Sequence, residues 1–543
     1  MKRSFDTFGV MIDMSRNAVM SIDGLKRFLP ILKKFGYNSV MLYTEDTYEV
    51  DGEPYFGYMR GRYTKAEMKE IDAFAAGLGM TVIPCIQTLA HLNAIFRWGQ
   101  YPRDCDDILM ADDDRTYELI EHMFATLSEC FVSRRIHIGM DEAHNLGLGA
   151  HRSKYGDEAP LDIMTRHLGR VCDIAKKYGY EVMMWSDMYF RPWNNGNARI
   201  PECTVPREVV EAFNKDVIPV YWDYFQTEQK NYEGMIRNHK QFSDKTWFAG
   251  GSWSWNGMIP SNTYTIETMV PAVNACRAEG IRNMFMTMWG DDGAECSHFS
   301  QLPSLLYIAE YARGNSDEAS IKAKFKRIVG IDFDEFINID RLNDVVPYDD
   351  ASDRWPRNPS KYMLYADCFN DYLDYTVKEG GGEHYREYAE KLHKTAKSSR
   401  KYGYVLESAA KLSSVLEIKY ELGLRTRKAY EAGDKEALKA LAQNEYTEVI
   451  KRIKAFGVTF EKQWITDNKP HGFDVQHHRI GALIYRLEAC RRRILDYTAG
   501  RIDRIEELDE KLLPFGRKEE SINLNKSPVH ATTNLLYTAH VPG

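Results

Sequence analysis

The chain has 543 residues, of which 44% are hydrophobic, and this length exceeds what a single hydrophobic core usually serves, so we expect two domains. Its 71 basic and 79 acidic residues give a formal net charge of −8. That balance excludes a basic surface of the kind that binds nucleic acid or an anionic membrane, and it favours a neutral or small polar substrate.

The N-terminus and the cysteines favour a cytoplasmic protein. Met1-Lys2-Arg3 could begin a signal peptide, but Asp6 and Asp13 interrupt the apolar segment that such a peptide needs. No run of 18 apolar residues occurs elsewhere. The nine Cys have no repeated spacing and no C-x-x-C pair, which argues against a disulfide framework or a zinc ribbon. We expect reduced thiols, a cytoplasmic location, and neither a membrane nor a nucleic-acid partner.

From residue 8 to about residue 313, short apolar segments alternate with longer amphipathic ones, the pattern typical of parallel strands joined by helices. Eight segments are predicted as strands: 8–14, 39–44, 81–86, 135–140, 181–186, 217–221, 246–249 and 283–289. Helices are predicted between them, among others at 24–35, 65–78, 116–130, 161–178 and 267–278. Eight such units predict a TIM (β/α)8 barrel, which we assign to residues 1–345.

The second half of the chain has only helical periodicity. Residues 344–361 contain three prolines and clustered Asp, and we interpret them as a linker. Apolar residues then recur at helical spacing in two stretches: Val405, Ala409, Leu412 and Leu416, and Ile480, Ile484, Leu487 and Ile494. We therefore predict an α-helical domain over residues 346–543, ending in a polar tail from about residue 517. It could brace the barrel, support a homodimer or lend a residue to the substrate mouth.

The predicted carboxyl ends of the strands, where TIM barrels carry their catalytic groups, are polar and aromatic. In chain order they carry Asp13 and Arg16, Glu45 and Asp46, Gln87 and His91, Asp141 and Glu142, Trp185 and Asp187, Tyr221 to Asp223, Trp253 and Trp255, and Trp289 and Asp291. Indole rings stack on pyranose faces, whereas carboxylates and Arg form charge-assisted hydrogen bonds with sugar hydroxyls. This combination predicts a sugar-binding pocket.

Two adjacent carboxylates, Asp141 and Glu142, follow the fourth predicted strand. Like charges in contact raise one of the two pKa values, so such a pair tends to supply one proton donor and one ionised acceptor near neutral pH. Alternation along the strand puts Asp141 inward on the face of His137, and Glu142 then reaches the pocket through a bend. Adjacent Asp and Glu are also common on solvated loops, so the pair by itself is weak evidence.

Residues at the ends of the other predicted strands can be interpreted as structural or as functional. His137 and His91 fit hydrogen-bonded groups of the barrel as well as catalytic ones, and single Trp residues are usually buried for their area alone. Alternation puts Tyr221 and Asp223 on the pocket face and Trp222 toward the helices. No spacing of two His residues supports a metal near Asp141, so we expect no metal and no cofactor.

Residues 137–142, His-Ile-Gly-Met-Asp-Glu, resemble the His-x-Gly-x-Asp-Glu hallmark of glycoside hydrolase family 20, the exo-acting β-N-acetylhexosaminidases, at every fixed position. The resemblance follows the barrel in order, through Asp13-x-Ser15-Arg16, His91, Trp185, Tyr221-x-Asp223 and Trp289. Some members of this family carry a helical domain after the barrel, as predicted here. The α/β domain that often precedes the family's barrel is not predicted in this sequence, and Asp291 stands where many members have Glu.

The resemblance implies exo-acting hydrolysis of terminal β-linked GlcNAc or GalNAc, in which the 2-acetamido oxygen of the substrate attacks the anomeric carbon and forms an oxazolinium intermediate with retention. It implies that Glu142 protonates the leaving oxygen and later activates water, that Asp141 holds the acetamido N–H and stabilises the intermediate, and that Tyr221 orients the acetamido oxygen. The candidate substrate-binding residues are Arg16, His91, Trp185, Asp223, Trp253, Trp289 and Asp291.

Two other functions stay open at this point. One is a conventional retaining β-glycosidase, with Glu142 as the acid and a carboxylate from strand six, seven or eight as the nucleophile. The other is a sugar-binding barrel without catalysis, which the intact Asp141 and Glu142 pair disfavours. Among the hexosaminidase substrates, the sequence does not choose between GlcNAc and GalNAc.

Overall fold

A computed structural model describes residues 5–291, 293–345, 356, 358–371, 373–374, 377 and 380–513. The strands are β1 (Thr7–Asp13), β2 (Ser39–Thr44), β3 (Thr81–Ile86), β4 (Arg135–His137), β5 (Glu181–Trp185), β6 (Ile218–Trp222), β7 (Trp247–Gly251) and β8 (Asn283–Met288). They form a closed parallel barrel in sequence order, with β8 pairing back onto β1. The predicted (β/α)8 fold is confirmed.

The strands are mostly apolar between their ends because a parallel barrel buries both faces, one in its interior and one under the helices. Every residue of β2 and of β7 is buried. The connecting helices are α1 (Ile22–Phe35), α2 (Lys65–Gly77), α3 (Asn93–Phe96), α4 (Asp114–Cys130), α5 (Ala150–Tyr155), α6 (Pro160–Lys177), α7 (Arg207–Ala212), α8 (Gln229–Lys240), α9 (Asn262–Ala278) and α10 (Leu302–Ala312). Side chains cap several of them; Thr64 and Glu67, for example, form a capping box on α2.

β4 differs most from the sequence-based prediction. We expected it to run to residue 140, but it ends at His137, because Gly139 and Met140 have φ values of 73° and 70° that a strand cannot adopt. The bounds of the other seven strands agree with the predictions within two residues. The prediction of a bend before Glu142 is therefore confirmed, and the bend starts earlier than expected.

The described residues form two compact units. The first lies within Met1–Ser252, Thr265–Trp289 and Ser304–Asp317, and the second within Trp253–Tyr264, Gly290–Pro303 and Glu318–Gly543. The loops that follow β7 and β8 thus belong to the second unit. The predicted boundary at residue 345 stays a prediction, since residues 346–355 and the predicted tail from residue 517 lie outside the described residues.

The second unit is helical, as predicted. After Glu318 its helices are α11 (Glu318–Val329), α12 (Phe333–Ile337), α13 (Pro359–Tyr365), α14 (Gly381–Ser398), α15 (Gly403–Glu431), α16 (Lys435–Gln443), α17 (Glu445–Asp467), α18 (Asp474–Thr498) and α19 (Glu506–Asp509). The long helix α15 packs against α14 and α17, and the stripe from Val405 to Leu416 is buried there. In the described part of the chain, none of the helices combines the length and apolar character that crossing a bilayer requires.

A buried ionic cluster lies within the second unit. Glu295 accepts contacts from two cations: Lys361 Nζ lies 2.9 Å from its Oε2 and Arg479 Nη1 lies 2.7 Å from its Oε1. The side chains of Glu295 and Lys361 are 0% and 1% exposed. Charges this deeply buried are tolerated only when they are paired, so the cluster is sensitive to the loss of one member.

We expect Glu295→Gln to destabilise the protein by about 3 to 5 kcal/mol, because the substitution removes the carboxylate that lies against both cations. Urea unfolding measures this loss. Glu318→Gln is the control, since Glu318 pairs with Lys322 on the surface, and such pairs contribute at most about 1 kcal/mol. Equal stability of the two variants would contradict a structural role for the buried cluster.

Candidate active site

The segment after β4 has a strained backbone that aims two carboxylates at the barrel mouth. Gly139, Met140 and Glu142 all have positive φ, at 73°, 70° and 52°. For residues other than Gly this conformation costs about 1 to 3 kcal/mol and occurs preferentially at functional sites. The strained turn ends the alternation of the strand, so that Asp141 and Glu142 both reach the mouth instead of pointing to opposite faces.

Gln87, at the exit of β3, holds this turn in place. Its Oε1 accepts the backbone N–H of Met140 at 3.0 Å, and its Nε2 donates to Oδ1 of Asp141 at 2.7 Å. Gly139 is required beside it, because a Cβ there would lie 2.0 Å from Gln87 Oε1. The glycine of the hexapeptide is thus explained both by its backbone conformation and by the space that Gln87 occupies.

Asp141 forms an ion pair with His91. Nε2 of His91 lies 3.3 Å from Oδ2 of Asp141. Burial acts against the charged form of His91, but the charge and hydrogen bond of Asp141, together with the charge of Glu45, raise the pKa of His91 to about 10. Burial likewise opposes ionisation of Asp141, and His91 and Gln87 overcome it, so the pKa of Asp141 is lowered. Asp141 is therefore a fixed anion at neutral pH.

Glu142 lies beside this anion and contacts a second set of charged groups. Arg191 Nη2 lies 3.0 Å from Oε1 of Glu142, and Arg191 Nε donates to Asp187 at 2.8 Å. Asp187 also accepts the backbone N–H of Glu142 at 3.1 Å. Burial, followed by the charge of Asp141, raises the pKa of Asp187. The Glu142 side chain is 38% exposed, against 11% for that of Asp141, so Glu142 is the more accessible of the two carboxyl groups.

Arg16 follows β1 and pairs with the exit of β2. Its Nη2 lies 3.2 Å from Oε1 of Glu45, which also accepts the hydroxyl of Tyr43 at 3.1 Å. Gln87 Nε2 donates to the Tyr43 oxygen at 2.9 Å. Hydrogen bonds therefore connect Arg16, through Glu45, Tyr43 and Gln87, to Asp141.

An aromatic floor lies beneath the carboxylates. Trp185 is fully buried in the barrel interior, with its ring centroid 4.3 Å from His137 and 6.0 Å from Trp289. Trp289 packs edge-on against Tyr43 at 4.8 Å. Burial lowers the pKa of His137 to about 3, so its ring is neutral. The structure thus brings together Trp185 and Trp289, two of the predicted substrate-binding residues.

β6 presents its side chains opposite to the sequence-based prediction. Its register pairs Val220 with Trp185, on the interior face, so alternation turns Trp222 inward and Tyr221 outward. The Tyr221 ring lies 4.8 Å from His239 of α8, and its hydroxyl donates to Asp223 at 3.0 Å. The prediction that Trp222 faces the helices, and Tyr221 the pocket, is wrong. The strand is apolar on both faces, so the sequence did not reveal which residues point inward.

Trp222 is therefore a residue of the mouth. Its Nε1 donates to Asp187 at 3.4 Å, and the guanidinium of Arg199 lies 5.0 Å from its ring centroid. Arg199 also lies 3.6 Å from Asp223, a buried carboxylate whose pKa is raised by burial. The assignment of Tyr221 to the acetamido oxygen came from the family resemblance, and a ring that faces α8 does not support it. The assignment of Asp223 to a sugar hydroxyl has the same origin and stays a prediction.

Two candidate residues belong to the second unit and are described within it. Trp253 is buried and stacks on Trp255, with ring centroids 4.2 Å apart, and it packs edge-on against Tyr264 at 5.1 Å. Asp291 is exposed in the loop after β8. Their predicted roles in substrate binding stay predictions.

Asp187 and Arg191 were not among the candidates from the sequence. Asp187 follows β5 at a strand exit, so its position in the sequence could have identified it as a site residue. Arg191 lies in a short 3-10 turn, Arg191–Trp193, which no sequence motif identifies. Gln87 was also visible at an exit. Together the mouth offers a fixed anion, a more exposed carboxylate beside it and an indole floor, which suit proton transfer next to a developing positive charge.

Comparison with known proteins identifies the family. A model described as the catalytic domain of glycosyl hydrolase family 20 matches residues 5–210, and one described as the Glycoside Hydrolase 20C C-terminal domain matches residues 334–526. The chain is similar to Hexosaminidase D of Bos taurus, at 21% identity over 344 residues, covering 59% of this chain and 94% of that protein. It is similar to Hexosaminidase D of Homo sapiens at 21% identity over 350 residues, covering 58% of this chain and 68% of that protein.

Among solved structures, the exo β-N-acetylglucosaminidase of Vibrio harveyi in complex with N-acetylglucosamine aligns with a TM-score of 0.48 and 16% identity. The alignment covers 62% of this chain and 59% of the Vibrio chain. The first five strands of the barrel and the helical region are thus each matched by a model of one family. The protein belongs to glycoside hydrolase family 20, as an enzyme whose catalytic domain is followed by the family's 20C C-terminal domain.

Proposed function

We propose that the protein is an exo-acting β-N-acetylhexosaminidase that removes terminal β-linked GlcNAc or GalNAc by substrate-assisted catalysis with retention. The observation that carries this proposal is the contrast between the two adjacent carboxylates. Asp141 is a buried anion held by His91 and Gln87, whereas Glu142 is the more exposed group beside it. The two relatives named Hexosaminidase D support the same substrate class.

In the first step Glu142, as the acid, donates its proton to the glycosidic oxygen while the bond from the anomeric carbon to that oxygen breaks. The substrate's acetamido oxygen forms the new bond to the anomeric carbon, which gives an oxazolinium ion. In the second step Glu142 takes a proton from water, which attacks the same carbon and restores the acetamide. No nucleophile from the enzyme is consumed.

The fixed charge of Asp141 is the protein's main contribution to the intermediate. Positive charge spreads onto the acetamido group as the ring closes, and a preorganised anion stabilises that charge without reorganising. Proton transfer by a placed carboxyl group accounts for roughly 10² to 10⁴ in rate. A neighbouring group held in line contributes up to about 7 to 11 kcal/mol more. Trp185 and Trp289 supply an apolar wall for the acetamido methyl group.

A thiazoline analogue of GlcNAc tests acetamido participation, because it resembles the cyclised intermediate. We expect competitive inhibition, with binding at least 10²-fold tighter than that of an aryl GlcNAc substrate. In a panel of p-nitrophenyl β-GlcNAc, β-GalNAc and β-glucoside, we expect hydrolysis of the N-acetyl sugars and no measurable turnover of the glucoside.

Hydrolysis of the glucoside at the same rate, with no inhibition by the thiazoline, would instead establish a conventional two-carboxylate glycosidase. Binding of N-acetyl sugars without turnover of any member of the panel would establish a sugar-binding barrel.

A further inference from the structure

Two exposed tyrosines and a half-buried tryptophan lie together on loops of the barrel. Tyr55 and Tyr58 follow β2 and are 42% and 41% exposed, and Trp98 follows β3 directly after the short helix α3. The Trp98 ring centroid lies 6.0 Å from that of Tyr55 and 5.1 Å from that of Tyr58, and the two Tyr rings are 6.1 Å apart. We call these three residues the aromatic patch. Contiguous exposed aromatics on a folded protein mark a binding surface more often than isolated ones do.

Buried contacts hold the loop that carries Tyr55 and Tyr58 in place. Phe56, between the two tyrosines, is fully buried, with its ring 5.2 Å from Tyr48 and 6.4 Å from Tyr101. Gly57 has φ 66°, and a Cβ there would lie 2.0 Å from the carbonyl oxygen of Asp46. The backbone therefore lies directly against the exit of β2. Rings held this way lose little conformational entropy when a ligand binds.

The loop that carries Tyr55 and Tyr58 is connected to the active site on the β2 side. Arg60 Nε donates to Asp46 Oδ1 at 3.2 Å, and its Nη2 donates to the carbonyl oxygen of Ser15. Asp46 follows Glu45 directly, and Glu45 pairs with Arg16 at the mouth. The loop bearing Tyr55 and Tyr58 is thus tied to the same strand exits that hold Arg16.

The patch is continuous with the active site on the β3 side as well. His91, which contacts Asp141, lies seven residues before Trp98, and α3 occupies part of that stretch. His91 has φ 59° and Leu92 is not extended, and the helical residues after them rise only about 1.5 Å each, so the two Cα atoms lie no more than roughly 15 Å apart. A few linked sugar units span this distance.

The chemistry of the patch suits neutral pyranose rings. Arg60 pairs with Asp46 and Glu53 with Arg115, and the exposed Arg97 lies next to Trp98 in the chain. The three members of the patch themselves carry no charge and offer ring faces and phenol hydroxyls. Aromatic faces stack on the CH surfaces of sugars, and the tyrosine hydroxyls can bond to sugar hydroxyls.

We propose that the aromatic patch binds the neutral sugar units of the leaving glycan, beyond the bond that is cleaved. This inference rests on the proposed function, since an exo-acting enzyme has substrate only on the leaving side of its pocket. The patch then favours terminal sugars that are carried on an oligosaccharide over those on a small aglycone.

The test compares kcat/KM for β1,4-linked GlcNAc tetrasaccharide and disaccharide, each divided by kcat/KM for the p-nitrophenyl β-GlcNAc. For the natural protein we expect this normalised kcat/KM to be about tenfold higher for the tetrasaccharide than for the disaccharide. Aromatic stacking supports an effect of this size. The triple variant Tyr55→Ala, Tyr58→Ala, Trp98→Ala should lose this gain. A triple variant with Phe at all three positions should keep most of it, because the ring faces remain.

Tyr485→Ala serves as the matched control, because Tyr485 is a 68% exposed tyrosine on α18 of the second unit. A natural protein without a chain-length gain, or a triple Ala variant that keeps the gain, would overturn the inference while leaving the proposed function intact. Absence of hydrolysis of every aryl β-N-acetylhexosaminide would overturn the proposed function and the inference with it. If the triple Ala variant fails to fold, Trp98→Ala alone gives the same comparison.

Discussion

Glu142→Gln should lower kcat/KM for glycosides with poor leaving groups by roughly 10²- to 10⁴-fold, and that for activated aryl glycosides far less. In the proposed mechanism a poor leaving group needs the proton from Glu142, whereas a p-nitrophenolate or dinitrophenolate leaves without it. The parameter kcat/KM is the informative one, because it reports formation of the intermediate and excludes the later step in which Glu142 activates water.

A series of aryl β-GlcNAc substrates with leaving groups of increasing basicity measures this difference. Glu118→Gln is the control, since Glu118 lies on α4 with a side chain that is 58% exposed, and we expect it to leave the series unchanged. Equal losses across the whole series for Glu142→Gln would remove the proton-donor role from this residue.

Asp141→Asn should reduce kcat by about 10²-fold or more, with little change in KM. The amide occupies the same space and still bonds to the acetamido group, so binding survives, but the fixed negative charge beside the developing cation is lost. Steady-state kinetics on the aryl β-N-acetylhexosaminide separates the two parameters. An unchanged kcat would exclude Asp141 from the mechanism.

The same variant has a second, spectroscopic readout in His91. Asp141 supplies the charge and hydrogen bond that raise the pKa of His91 to about 10, against an ordinary value of 6.5. In Asp141→Asn we expect the pKa of His91, measured by NMR, to fall toward or below 6.5. Burial lowers this pKa, and the variant has lost the negative charge that counteracts the effect of burial.

The sign of the pH dependence follows from this pKa. The folded state binds the His91 proton more tightly than the unfolded chain does, so the contribution of charged His91 to stability is complete below about pH 6.5, as long as Asp141 stays ionised, and is lost as the pH rises to about 10. The Asp141→Asn variant should show a flatter loss of stability over this range. An NMR titration of His91 that is the same in both proteins would contradict the ion pair.

The sequence predicted the barrel well because each parallel strand is an apolar segment between polar turns, and this pattern survives without knowledge of contacts. It predicted the bend before Glu142 because two adjacent acids cannot both follow strand alternation into one pocket. The prediction of which β6 side chains point into the barrel was wrong for the opposite reason. Val220, Tyr221 and Trp222 are all compatible with either face of the strand, and only the register with β5 decides between the two faces.

The residues that the sequence did not reveal are those whose role depends on distance in space. Arg191 has no motif and contacts Glu142 from 49 residues away in the chain. Trp253 and Asp291 follow β7 and β8 in sequence, yet their loops cluster with the helical unit, and nothing in the spacing of the strands predicts that assignment.

The contact between Arg191 and Glu142 bears on how a substrate enters the site. Arg191 Nη2 lies 3.0 Å from Oε1 of Glu142, so a guanidinium occupies one oxygen of the carboxyl group that we propose as the proton donor. A glycosidic oxygen that bonds to this same atom has to displace the guanidinium, and charge-assisted contacts of this kind are among the stronger hydrogen bonds. Under the proposed mechanism, substrate binding therefore exchanges a contact within the protein for one with the substrate.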